Sequence, residues 1–270
     1  MTHTLGMSGS TILSNPSQFE ELFESGLPHI EIGEFTDREA FQTFMKMRDM
    51  HNASFGIHAP LIRGNSKYDL IEEVSMPPEK ARVLFEEEVA EAAQYGASYV
   101  LVHFPYFHGK ARETNRMIEE GLQFLHRLKK TYEIPIVCEP KLGKNQSPLG
   151  IQYLYDFPPS LWESYGVDLC IDIGDYIMAA GDQWRTFVEP LLPMTKVVHM
   201  HNVQYRHDGY IWVPIHPSRE LWDSAYDMRP FLELLASGRD KYFLFEHTPH
   251  SSPSNEQVRE GIKWVNEIVR

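Results

Sequence analysis

The chain has 270 residues, 42% hydrophobic and 23% charged, enough apolar material for one large globular domain spanning residues 1–270. Its formal net charge of −13 repels polyanions from the average surface, which disfavours nucleic acid as a partner. The two cysteines, Cys138 and Cys170, lack the spacing of a zinc knuckle or redox motif. There is no leader-like N-terminal pattern and no apolar run near the roughly 20 residues that span a bilayer, so the expectation is a cytoplasmic protein with no membrane partner.

Along the chain, short β-branched runs alternate with segments of helical period, the pattern of successive βα units. The strand candidates are residues 4–8, 29–35, 54–60, 99–105, 135–140, 168–174, 196–202 and 242–248. The helix candidates are 16–26, 37–51, 78–95, 111–131, 150–165, 183–192, 229–237 and 254–269. Start signals stand at Thr36-Asp37, Pro77-Pro78 and Ser252-Pro253, and stop signals at Gly26, Gly96, Gly166 and Gly238. Eight such units in this length predict an α/β fold, a (β/α)8 TIM barrel, with an open doubly wound sheet as the alternative. Two long loops, 61–76 and 203–227, would emerge at the mouth where barrel sites lie.

Six metal-friendly side chains stand at the ends of different strand candidates: His58, His103, Glu139, Asp172, His201 and Glu246. Alternate residues of a barrel strand face inward, so Glu139, Asp172, His201 and Glu246, from four consecutive strands, would converge at the mouth. Mixed oxygen and nitrogen donors suit a divalent ion, Mn²⁺, Mg²⁺ or Co²⁺, with Zn²⁺ also compatible. His58, His103 and Asp175 could extend this set to further metal or substrate contacts. His199 shares the strand parity of His201 one pleat deeper and reads as a histidine bonded inside the barrel, while Cys170 reads as interior filling. Glu31 and Glu34 fall on opposite faces, so only one of them would point inward. Arg63, Lys141, Arg206 and His207 are candidate contacts for a substrate phosphate or hydroxyl. Loop aromatics such as Tyr68, Tyr106, Tyr205, Tyr210 and Trp212 suit the apolar faces of a sugar.

The runs IHAP, VHFP, CEP, IDIGD, HMHN and FEHTP together resemble those of the xylose-isomerase-like barrels, which include sugar isomerases, ketose 3-epimerases and endonuclease-IV-type nucleases. The resemblance covers essentially the whole chain. It implies one divalent ion held at Glu139, Asp172, His201 and Glu246, with Glu139 and Glu246 also the catalytic acid and base. In the nuclease branch, positions matching His58 and His103 join a three-zinc site. Two departures weigh against that branch. Asp175 stands where both branches usually carry a histidine, and the loop after the seventh strand lacks the nuclease Asp-x-His pair.

The reading that follows is a divalent-metal-dependent isomerase or epimerase of a small sugar or sugar phosphate, working by proton transfer through a metal-stabilised enediolate. The alternatives are a zinc phosphodiesterase acting at abasic DNA and a non-catalytic barrel that binds a metabolite or partner. The outer helices could support a homodimer.

Overall fold

The computed structural model describes residues 2–107, 113–142, 151, 159–207 and 209–270. Its centre is a closed barrel of eight parallel strands. These are β1 (Thr4–Ser8), β2 (His29–Ile32), β3 (Ser54–His58), β4 (Val100–His103), β5 (Ile136–Glu139), β6 (Asp168–Asp172), β7 (Thr195–Met200) and β10 (Tyr242–Phe245). They neighbour one another in chain order and close through β1 against β10. Between and after them lie helices α1 (Arg38–Met50), α2 (Pro78–Gln94), α3 (Thr114–Tyr132), α4 (Pro159–Tyr165), α5 (Ile173–Ala180), α6 (Trp184–Val188), α7 (Arg229–Leu235) and α8 (Asn255–Val269). The (β/α)8 reading holds and the open sheet does not.

Local chemistry sets the boundaries. Asp37 caps α1 by accepting from the Ala40 amide, and Pro78 occupies the first turn of α2. Ser254 and Gln257 form a reciprocal capping box at α8. Gly26, Gly96, Gly166 and Gly238, the four expected stops, all take positive φ.

Four expectations need correction. Residues 16–26 form a 3₁₀ run, Pro16–Leu22, because the buried Phe19 and Leu22 are three apart and stack on one edge at that period. The sixth strand stops at Asp172, whose side chain accepts from the Asp175 amide and starts α5 immediately. The stretch 183–192 is a single short helix, α6, flanked by 3₁₀ turns, with Pro190 inside the second of them. The loop after β7 contains an antiparallel hairpin, β8 (Asn202–Arg206) with β9 (Gly209–Val213). Parts of the expected helices 111–131 and 150–165 lie outside the described residues.

The main core lies between strands and helices, where Phe19, Phe35, Phe41, Phe44 and Phe55 meet edge to face or tilted. Burying a large apolar side chain contributes roughly 1.5–3 kcal/mol, so this outer layer carries much of the stability. The barrel interior is smaller: Tyr99, Leu101, Val137, Cys170, Val197 and Leu244 form a separate buried cluster. Above it, towards the C-terminal mouth, the inward positions turn polar.

Candidate active site

Inward-facing Glu139 ends β5, and Glu246 follows β10 by one residue. Both are buried, and both approach one imidazole nitrogen: His199 Nδ1 lies 3.4 Å from Glu139 Oε1 and 2.8 Å from Glu246 Oε2. Strand register delivers this meeting, since His199 pairs with Leu244 on one side and Asp172 on the other. The short approaches are not aligned as hydrogen bonds. Glu246 Oε2, Glu139 Oε2 and His199 Nδ1 are all buried with no hydrogen-bond partner.

On the β6 side the carboxylates surround a cation. Lys141 Nζ lies 3.0 Å from Glu139 Oε1, 2.9 Å from Asp172 Oδ2 and 2.6 Å from Asp175 Oδ2. Burial opposes the charge on Lys141, but the three carboxylates outweigh it and hold its pKa well above the ordinary lysine value. Asp175 is pushed up to about 7, first by burial and then by the charge on Asp172, with Lys141 acting against both. His201 Nε2 donates to Asp172 Oδ1 at 2.9 Å. Its ring stacks on Trp212 at 4.5 Å between centroids, and Gly174 leaves room for it: a Cβ there would sit 2.0 Å from the imidazole Cε1.

On the β3–β4 side Glu139 meets imidazoles. His103 Nε2 and His58 Nε2 lie 3.1 Å and 3.4 Å from its Oε2. The two rings titrate in opposite directions. For His58, burial is outweighed by Glu139, Glu31 and Glu246, which raise its pKa; for His103, burial prevails and lowers it far below the usual value.

Above this floor is a cavity of about 410 Å³ reached by His58, His103, Lys141, Asp175 and Glu246. One wall comes from the loop after β3. Its Asp69 accepts from the amides of Val74, Ser75 and Met76 and from two serine hydroxyls. That loop lays Tyr68 against His103, with centroids 5.1 Å apart. The opposite wall is the hairpin, which supplies Tyr210 and Trp212.

The structure sorts the expected residues. Arg63 lines the cavity while donating to Leu13 O. Arg206 and His207 do not line it; the hairpin carries both to its exposed tip, where Arg206 donates to Gln204. Tyr205 is exposed. Glu31 and Glu34 both matter, contrary to the parity argument. Glu31 is buried inside the barrel, whereas the chain has left the strand by Glu34, whose positive φ turns it into the cavity to pair with Lys67. Sequence reasoning placed His199 inside the barrel but missed its contact with both glutamates; a two-residue parity shared with His201 was the available signal.

The donor set fits a divalent ion. Ligand atoms of Glu139, Asp172, His199 and Glu246 lie within 4.8 Å of one another, and a second such group joins His58, His103 and Glu139. His199 Nδ1 and Glu246 Oε2, buried 2.8 Å apart without an aligned hydrogen bond, are donor atoms that a divalent ion could share. His201 enters none of these groups among the described residues.

The family described as xylose isomerase-like TIM barrel matches residues 19–268, and the chain belongs to it. No curated protein matches the sequence. Among solved structures, a D-tagatose 3-epimerase-like protein is 19% identical with a TM-score of 0.69, covering 99% of this chain and 100% of its own. A xylose isomerase-like TIM barrel protein from Mycobacterium smegmatis, solved in complex with magnesium, is 14% identical with a TM-score of 0.59, over 94% of this chain and 87% of its own. Endonuclease IV from Thermus thermophilus is 15% identical with a TM-score of 0.59, over 98% of each chain. At these identities the shared property is the fold.

Proposed function

We propose that the protein is a divalent-metal-dependent isomerase or epimerase of a small sugar or sugar phosphate. The observation that carries this reading is the pair of buried carboxylates, Glu139 and Glu246, brought from separate strands to one point beneath a polar cavity. Two opposed carboxylates can remove a C–H proton from one face of a substrate and return one to the other. Glu139, Asp172 and Glu246 would hold the ion, with His201 as the histidine the family resemblance implies and His199 the one whose donor atom lies nearest the others. An ion bound there would supply positive charge against the negative charge that develops on adjacent substrate oxygens.

The chain's own residues do the rest. Burial works against ionisation of Glu139, but Lys141, His199 and His103 hold its pKa well below the carboxylate range, so it enters the reaction as a base. Lys141, with its three donors among Glu139, Asp172 and Asp175, holds these carboxylates together beside the reacting point. Tyr68 and Trp212 offer apolar faces on the two walls for the sugar's C–H surface. The enclosed floor limits water near the exchanging proton. The test is turnover of a panel of ketoses, aldoses and their phosphates with Mn²⁺, Mg²⁺ or Co²⁺. Activity that depends on the ion and vanishes in Glu139→Gln and Glu246→Gln supports the reading; a variant of either with near wild-type turnover would sink it.

A second reading rests on the His58, His103 and Glu139 group, which could take another ion as a zinc phosphodiesterase would need. Metal counting separates the two: one ion per chain supports sugar chemistry, and two or three zinc ions support hydrolysis.

A further inference from the structure

TIM-barrel interiors are filled mainly by branched aliphatic side chains, yet this one contains a continuous polar column. Starting at the N-terminal end, His29 Nδ1 lies 2.9 Å from Ser54 Oγ and its Nε2 lies 3.1 Å from the Tyr99 hydroxyl. The Tyr99 hydroxyl donates to Glu31 Oε2 at 2.8 Å, and His199 Nε2 lies 2.8 Å from Glu31 Oε1. The other ring nitrogen of His199 faces Glu139 and Glu246. His29, Glu31, Tyr99 and His199 are all fully buried.

Donor and acceptor counting gives the column a direction. Tyr99 has one hydroxyl proton, and Glu31 takes it, so the phenol oxygen accepts from His29 Nε2–H. His29 Nδ1 can then accept from the Ser54 hydroxyl only in place of the Pro28 carbonyl, to which that hydroxyl donates at 3.0 Å. Burial pulls the pKa of His29 down to about 4, so the ring is neutral and can play these two parts. The Tyr99 hydroxyl thus takes up one oxygen of Glu31, and the other accepts from His199 Nε2–H. Space is reserved for the arrangement. Gly56 is the register partner of Glu31, and a Cβ at Gly56 would lie 2.4 Å from Tyr99 Cζ.

We propose that Glu31 is a positioning residue: held by Tyr99, whose hydroxyl in turn meets His29, it fixes the ring of His199 with Nε2–H turned away from the site, and His199 thereby sets the orientation of Glu139 and Glu246. The importance of those two carboxylates rests on the function proposed above; the fixing of His199 does not. A buried polar network is costly unless fully satisfied, and here its satisfied end is Glu31 while its open end is the site. Carboxylates behind an imidazole tune such sites, and removing one typically lowers activity or ion affinity about 10- to 100-fold.

The experiment compares wild type, Glu31→Gln and Tyr99→Phe by two readouts. In ¹⁵N-histidine NMR, with His199 assigned by loss of its signals in His199→Gln, wild type should show the Nε2-protonated neutral ring or a ring whose Nε2 proton is retained. Glu31→Gln should shift or broaden that signal, and Tyr99→Phe should do so less. In kinetics on the metal-loaded enzyme, Glu31→Gln should lower kcat at least about tenfold with KM within about twofold. A merely structural role would lower thermal stability and leave the kcat of the folded protein alone. An unchanged His199 signal in Glu31→Gln overturns the proposal, as does kcat within twofold of wild type in both variants. If Glu31→Gln does not fold, Tyr99→Phe, which keeps the buried ring, decides by the same criteria. If wild type turns over no sugar, the functional reading fails while the NMR result still decides the positioning.

Discussion

The two flanks of Glu139 are built differently. On the β6 side its Oε1 meets Lys141, which is shared with Asp172 and Asp175, so negative charge is already answered by an ammonium. On the β3–β4 side its Oε2 meets the imidazoles of His58 and His103 and has no aligned hydrogen bond among the described residues. The difference shows where the site carries its own cation and where it does not. The Lys141 flank has an ammonium in the protein itself, although Asp175 Oδ2 lacks an aligned hydrogen bond there, whereas Glu139 Oε2, Glu246 Oε2 and His199 Nδ1 form a buried edge that a cation would satisfy.

Removing the shared carboxylates strains this contrast most severely. Glu139→Gln and Glu246→Gln should each lower turnover by about 10²- to 10⁴-fold, the usual contribution of a positioned acid or base, with an unchanged circular dichroism spectrum. Next in size is Lys141→Met, which leaves Asp172 and Asp175 buried without their counter-charge. Breaking such a pair costs about 3–5 kcal/mol, so the melting temperature should fall steeply, and added Mn²⁺ or Mg²⁺ should recover part of the loss. Full stability without any ion would show that the β6 flank does not depend on Lys141.

Asp69 tests a wall instead of the floor. Burial disfavours its ionised form, but amides from Met76, Ser75 and Val74 and the Ser66 hydroxyl outweigh it and hold the pKa at about 2. A carboxyl depressed in the fold contributes stability that is present above its unfolded value, near 3.8, and is lost as pH falls from there to about 2. Asp69→Asn should therefore cost about 1–3 kcal/mol at neutral pH and flatten the acid limb of the stability curve in that window, measurable by urea titration between about pH 2 and 5. The smallest expected effect is on the imidazole flank. His103→Ala should leave one ion bound per chain and lower turnover by about tenfold or less, read by elemental analysis and kinetics. A fall from two or more ions would transfer weight to the hydrolytic reading.

Much of this was legible in the sequence, for identifiable reasons. Strand-end Glu139, Asp172 and Glu246 converge because a period of two and a closed barrel leave them little choice. The four stop glycines mark helix ends because positive φ favours glycine there. What escaped depends on where the chain leaves regular geometry. Glu34 reaches the cavity only because the backbone turns to positive φ after β2 ends at Ile32, which no alternation rule anticipates. Asp172 looked like mid-strand sequence because one residue both ends β6 and caps α5. The hairpin after β7 did leave a sign, the Asp208-Gly209 pair typical of tight turns, flanked by β-prone residues. It carries Arg206 and His207 away from the cavity and brings Trp212 onto His201. The Glu31–His199 column was hidden more deeply, since its partners lie 168 residues apart and meet only across the closed barrel.

The central claim is that Glu139 and Glu246 exchange a substrate C–H proton from opposed positions. Its most direct test is incubation of the metal-loaded protein with the ketose, aldose and phosphorylated-sugar panel in D₂O, followed by NMR of the recovered sugars. The account predicts deuterium at a carbon next to a carbonyl of at least one sugar, catalysed by wild type and lost in Glu139→Gln and Glu246→Gln. No incorporation into any sugar of the panel, or incorporation undiminished in both variants, would contradict it.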